Sequence, residues 1–292
     1  LFGAVQFYTA ARNKGVKPII GCEIYVAKES RHKKSGGGDQ SNHLVVLAET
    51  LTGYHNLSKL VSYGYLEGFY YKPRVDKELL SQYSRGLIAL SACLKGAVPQ
   101  KLLMEQTDSA VEEAAELRDI FGTENFYLEL QDHNLPAQQS LNPRIVEISR
   151  KTGIPLVCTN DVHYLRREDS VAHDVLLCIG TNKVVSQPDR MRYETDQFYF
   201  KSYEEMHQLW GGLPEAMQNT VRIAERCGFE IETKQPLPPF EVPPGFTADS
   251  YFEKVVRDGF EQKRPHLAAL AAAGRLKHRL DEYEERLTSE VD

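Results

Sequence analysis

The stretch IPLVCTNDVHY, residues 154–164, decides how this chain is read. Ile154-Pro155-Leu156-Val157-Cys158 is an apolar run of strand length. It follows a helix-like segment, residues 137–153, closed by Gly153 where a helix commonly ends in glycine. A helix running straight into an apolar strand is the pattern of an α/β sheet. Asp161 and His163 stand at the exit of that strand. Residues two apart in extended chain point to the same face, so a carboxylate and an imidazole leave side by side. Such a pair suits zinc, manganese or iron. The plainer reading is a loop in which Asn160 and Asp161 turn the chain. Residues 159–164 alone do not choose between ligand and loop.

Outward from there, the alternation recurs. Residues 18–27 (PIIGCEIYVA), 42–48 (NHLVVLA), 86–92 (GLIALSA) and 125–131 (NFYLELQ) are strand-like apolar runs. Residues 2–15, 51–67 and 108–121 carry apolar side chains at helical spacing, with Asp108 as the expected N-cap. A parallel α/β sheet or barrel is predicted. After Tyr164 the pattern changes: residues 168–179, 204–210 and 214–227 are helical, and 198–200 form a late strand. Residues 31–39 (RHKKSGGGD) form a basic, glycine-rich surface loop; no GK[ST] ending makes it a P-loop. Residues 235–245 are proline-dense and read as a linker. Charged, Ala/Leu-rich helices follow over 249–263 and 267–291. The first domain is therefore placed over residues 1–240 and a second region over 241–292.

The 292 residues carry 35 Lys+Arg against 41 Asp+Glu, a net charge of −6. That is not the basic footprint of a free-standing duplex-DNA binder. No run approaches the ~20 apolar residues of a membrane span, and no signal peptide is visible. Cys22, Cys93, Cys158, Cys178 and Cys227 are scattered without a CxxC pair, which fits a reducing cytoplasm.

Polar residues sit in or at the ends of successive apolar strands: Glu23 in GCEIY, His43 in NHLVVL, Cys93 in LSACLKG, then Asp161 and His163. In α/β folds, functional residues collect at the carboxyl ends of strands. Taken singly, His43 reads as a bonded core histidine and Cys93 as a small buried hydrophobe. Glu23 is harder to dismiss, because a buried carboxylate is costly without a partner. Together they form the ligand inventory of a metal hydrolase.

The motifs GVKPIIGCEIYVA, NHLVVLA, GFYYKPRVD, LSACLKG, FYLELQDH, TNDVHYL and FYFKSYEEM occur here in that order. Together they resemble the PHP (polymerase and histidinol phosphatase) domain, more narrowly the one found in bacterial DNA polymerase III alpha subunits. The resemblance covers nearly all of residues 1–240 and continues more weakly into 250–292. It implies a distorted (β/α)7 barrel with a metal cluster at the carboxyl face and hydrolysis of phosphoesters, including 3′–5′ exonuclease action on DNA. It implies Glu23, His43, Cys93, Asp161 and His163 as ligands of zinc or manganese, with Asp161 and His163 closest to the chemistry. A thiolate at Cys93 favours zinc. Magnesium would serve the parent polymerase. The implied partners are DNA, the sliding clamp and the proofreading subunit.

The family's first His-x-His motif and its Thr-Asp-His motif lie upstream of the segment resembling residues 1–4. The chain is therefore expected to be a fragment that lacks the first strand, binds metal poorly and is inactive by itself. Lys72 and Arg74 in YYKPR are candidates for substrate phosphate, since both residue types bind phosphate well. His133 is a candidate for the site rim, a surface-loop role standing level with it. Glu129 reads as an alternating strand residue, and Phe69, Tyr70 and Tyr71 as core. A free-standing phosphatase of a small phosphate monoester and a non-catalytic scaffold for the polymerase remain as alternatives.

Overall fold

The computed structural model describes residues 1–36, 41–231 and 240–291. The glycine-rich tip of the 31–39 loop and the proline stretch 235–239 lie outside them. Contacts divide the chain into two compact units, Leu1–Glu232 and Thr233–Asp292.

The first unit opens with α1 (Ala4–Asn13), then β1 (Gly21–Ala27), β2 (Ser41–Ala48) and α2 (Leu51–Leu66). The two-residue strand β3 (Arg74–Val75) leads to α3 (Lys77–Tyr83), β4 (Leu87–Leu90), α4 (Ala97–Leu103) and α5 (Thr107–Phe121). β5 (Phe126–Leu130), α6 (Pro136–Thr152) and β6 (Leu156–Cys158) complete the sheet. After a 3-10 turn at Arg167–Asp169 come α7 (Ser170–Thr181), α8 (Tyr203–Trp210) and α9 (Pro214–Arg226).

The six strands lie in the order β3-β1-β2-β4-β5-β6. The sheet is mixed, which corrects the expectation of a parallel one. β1–β2 and β2–β4 are antiparallel, whereas β1–β3, β4–β5 and β5–β6 are parallel. Parallel neighbours need a crossover connection. The three parallel pairs enclose helices, but no helix lies between β1 and β2 among the described residues, so the chain turns back on itself. The described residues leave the sheet open, with β3 and β6 at its edges. A closed barrel of seven units is not observed.

Pleating explains which face does what. Ile24 and Val26 on β1 and Leu44, Val46 and Ala48 on β2 are buried in the main core with Leu57 and Leu60 of α2. Glu23, Tyr25, His43 and Val45 alternate with them and so share the opposite face. The antiparallel register sets Glu23 across from Val45 and Tyr25 across from His43. β4 and β5 are buried at every position, as befits central strands.

Local signals behave mostly as expected. Gly153 ends α6 at φ 71°, and Thr50 caps α2 by accepting the Gly53 N–H. Asp108 is not the N-cap of α5. That position is Gln106, and Asp108 lies in the first turn, where its charge complements the helix dipole. Residues 198–200 form no strand, only a single bridge between Tyr199 and Tyr164. Phe69 and Tyr71 are exposed rather than core.

In the second unit, α10 (Ala248–Ala272) runs through Pro265, where a break between two helices was predicted. The helix formers of residues 267–273 outweigh one lost backbone bond. The break falls at Gly274, φ 65°, before α11 (Leu280–Val291). Neither helix has a buried residue. No described helix is long and apolar enough to cross a membrane.

Candidate metal centre

Three donors meet on the open face of the sheet. One ligand atom each from Glu23, His43 and Cys93 lies within 4.8 Å of the others. The His43 Nδ1 stands 2.9 Å from Glu23 Oε1 and 3.6 Å from Cys93 Sγ. Strand register supplies the first pair. The third member follows from the exit of β4, where the His43 N–H donates to the Lys95 carbonyl at 3.0 Å and draws that loop against β2.

The electrostatics agree with the geometry. The hydrogen bond from His43 holds the Glu23 carboxyl below its usual range, against partial burial. Burial pushes His43 down, but hydrogen bonds with Cys93 and Glu23 more than offset it and lift it to about 9. Carboxylate, imidazole and thiol converging on one point fit a divalent metal ion.

The Asp161–His163 pair stands on the facing wall of the same cavity, whose volume is about 450 Å³. Here loop and ligand prove compatible. Asp161 takes a left-handed turn conformation, φ 40°, and its carboxyl is pushed up by burial although His163 pulls it down. His163 Nδ1 is 2.7 Å from the Asp161 carbonyl oxygen and 4.0 Å from its carboxylate. An N–H at Nδ1 donates to that carbonyl, leaving Nε2 to accept from the Tyr193 hydroxyl at 2.9 Å. That same lone pair is the one free for a metal. Glu23, His43, Cys93, Asp161 and His163 are thus brought together around one cavity.

The three residues considered for substrate contact are not. Arg74 is buried, 2% exposed. Its guanidinium donates to the carbonyls of Gly68, Arg31 and Lys33 at 3.0–3.2 Å. It braces the turn before β3. His133 is fully buried, 0% exposed, and lies neither on a rim nor in a surface loop. Its Nε2 donates to the Asn160 carbonyl at 2.9 Å, its Nδ1 accepts from Gln138, and its ring stacks on Phe198 at 4.0 Å. Burial keeps it neutral, with its pKa lowered. It positions the loop carrying Asp161 instead of touching substrate. Lys72 is exposed and lies over Tyr25, 5.3 Å from the ring centroid, outside the cavity lining.

Two contributors escaped the sequence reading. Glu129, 4% exposed on β5, accepts from the Ala92 N–H at 2.9 Å and from Gln131 and Thr159. It ties the turn before Cys93 to the strand exit before Asp161, and burial pushes its pKa up. The signal was available: a lone carboxylate in an apolar strand, the reasoning that singled out Glu23. Tyr193 had no such signal, because its contact with His163 spans 30 residues.

Residues 1–133 match the family model of the PHP domain; Asp161 and His163 lie beyond the matched residues. Along its length the chain is similar to proteins named DNA polymerase III subunit alpha: 48% identical over 255 residues to that of Treponema pallidum, 86% of this chain. It is 45% identical over 274 residues to that of Borreliella burgdorferi and 43% over 277 to that of Thermus aquaticus, covering 92% and 91% of this chain. The chain spans 22–24% of the length of these relatives.

Proposed function

We propose that this chain is the metal-dependent phosphoesterase portion of a DNA polymerase III alpha-type polypeptide, acting as a 3′–5′ exonuclease on single-stranded DNA ends. The observation that carries it is the convergence of Glu23, His43 and Cys93 in a cavity faced by Asp161 and His163. The relatives' name supports the polymerase context.

In this reading the five side chains hold zinc or manganese, and Asp161 and His163 stand nearest the reacting phosphate. The metal supplies a water of lowered pKa and neutralises charge on the phosphate. Glu129 and His133 keep the two walls at fixed separation, and Phe198 closes the cavity from behind. The finer architecture belongs to the same proposal: a (β/α)7 barrel completed by an upstream strand and further ligands, with residues 241–292 opening the polymerase region. DNA, a sliding clamp and a proofreading subunit are then the partners, magnesium serves the polymerase centre, and the protein works in the cytoplasm.

The test is cleavage of 3′-labelled single-stranded DNA by the full-length polypeptide. Asp161→Ala reduces cleavage to background and leaves nucleotide incorporation intact. Cleavage that survives this substitution overturns the hydrolase reading.

A further inference from the structure

The cavity is lined by two cations, Lys95 and Arg192. Lys95 follows the turn that carries Cys93, and Arg192 precedes Tyr193. Lys95 is anchored through its backbone, its carbonyl accepting from the His43 N–H at 3.0 Å and from Asn42 Nδ2 at 3.2 Å. Among the described residues, neither the Lys95 ammonium nor the Arg192 guanidinium makes a hydrogen bond or ion pair. Neighbouring arginines behave otherwise: Arg190 is bidentate to Asp174 and Arg167 pairs with Asp196. The charge of Lys95 reaches Glu23, that of Arg192 reaches Asp174, and Glu194 shares the lining, yet both cations keep hydrogen-bond donors to offer an anion.

The remaining lining narrows the choice of anion. Leu94, Leu135, Pro136 and Phe198 give the cavity an apolar side. A volume of about 450 Å³ lies in the small-ligand range of roughly 300–1,000 Å³. It is large enough for one nucleotide. Arg binds phosphate with a planar fork and Lys as a point charge, so the two are complementary holds on one group.

We infer that Lys95 and Arg192 are a phosphate-recognition pair for a single nucleotide at an unpaired DNA end, with the base against Leu135 and Pro136. The pair acts beside the metal ligands and holds the phosphate. Its role in catalysis rests on the phosphoesterase reading; its binding does not.

The probe is thymidine 5′-monophosphate, titrated calorimetrically into the full-length polypeptide in EDTA, with thymidine as the phosphate-free control. Replacing both cations, Lys95→Met with Arg192→Met, weakens the nucleotide by about tenfold or more and flattens its salt dependence. Thymidine binding stays unchanged. The charge-preserving pair Lys95→Arg and Arg192→Lys retains most of the affinity, which separates loss of charge from loss of fold. Equal affinity in the Met variant, or no binding by the parent chain, overturns the inference. Asp161→Asn keeps the two readings apart: it abolishes cleavage yet still binds the nucleotide. Cleavage surviving Asp161→Asn would sink the hydrolase reading and leave the phosphate pair standing.

Discussion

The two walls of the cavity are built differently. In the first wall Glu23 and His43 are carried by paired strands and Cys93 by the turn after β4, and the three donor atoms already lie within 4.8 Å of one another. The wall of Asp161 and His163 is carried by a loop, where His163 Nε2 is occupied by the Tyr193 hydroxyl. Sheet register fixes side chains through a ladder of backbone bonds on both sides. The loop has only a short run of backbone bonds, such as the His163 N–H donating to the Phe198 carbonyl at 2.8 Å, and depends for the rest on side chains such as His133, Glu129 and Asn160. The strand wall is preformed, and the loop wall has to rearrange at His163 before that nitrogen can face an ion.

The largest expected effect separates the walls. His43→Ala removes the atom shared by Glu23 and Cys93, and metal retention by the full-length polypeptide falls by about 100-fold or more. His163→Ala loses cleavage but keeps an ion on the strand wall, as metal analysis of the purified variants would show. Equal metal loss in both variants breaks the comparison.

Next in size is the support of the loop. His133→Ala deletes a buried hydrogen bond and a ring stack, costing about 2–4 kcal/mol of stability by denaturant titration. It lowers metal affinity by about tenfold through the Asp161 loop. The triad should be spared, so Cys93 keeps its reactivity toward thiol reagents. Altered Cys93 labelling would mean that the loop also holds the strand wall.

Acid tests the edge of the sheet. There, Arg31 bonds Asp76 at 2.9–3.0 Å, joining the exit of β1 to the start of α3. Burial pushes Asp76 up, but the N–H groups of Arg31 and Leu79 and the Arg31 charge more than offset it, so its pKa is lowered. A depressed carboxyl stabilises the fold fully above its ordinary value of 3.8 and loses that contribution as pH falls through the folded value. Stability measured from pH 6 downward, pH values about two units above to below that point, should drop more steeply in the parent than in Asp76→Asn. Parallel curves would remove Asp76 from the account.

The smallest effect concerns the 292-residue chain alone. With the loop wall closed by Tyr193, zinc or manganese should raise its Tm by about 2 °C or less. A large rise would show that the five ligands here suffice.

How much of this was legible in the residues varies with distance along the chain. The longer strands announced themselves as apolar runs, and their polar members, Glu23 and His43, stood out by contrast. β3 has two residues and α3 and α4 have seven each, too short for any period to show. Arg74 looked like a phosphate ligand because sequence does not reveal that carbonyls at Gly68, Arg31 and Lys33 already hold it. His133 looked like a rim residue because Gln138 and Phe198 had not yet been folded around it.

The sequence by itself determined the class of fold, the strand-borne donors and the Asp161–His163 pair, because local propensity and alternation are written in neighbouring residues. Tertiary structure decided what those residues can reach. It made the sheet mixed and open, set Tyr193 on His163, and turned Arg74 and His133 from substrate contacts into struts. Those outcomes depend on burial and on contacts between distant segments, which only the folded chain brings together.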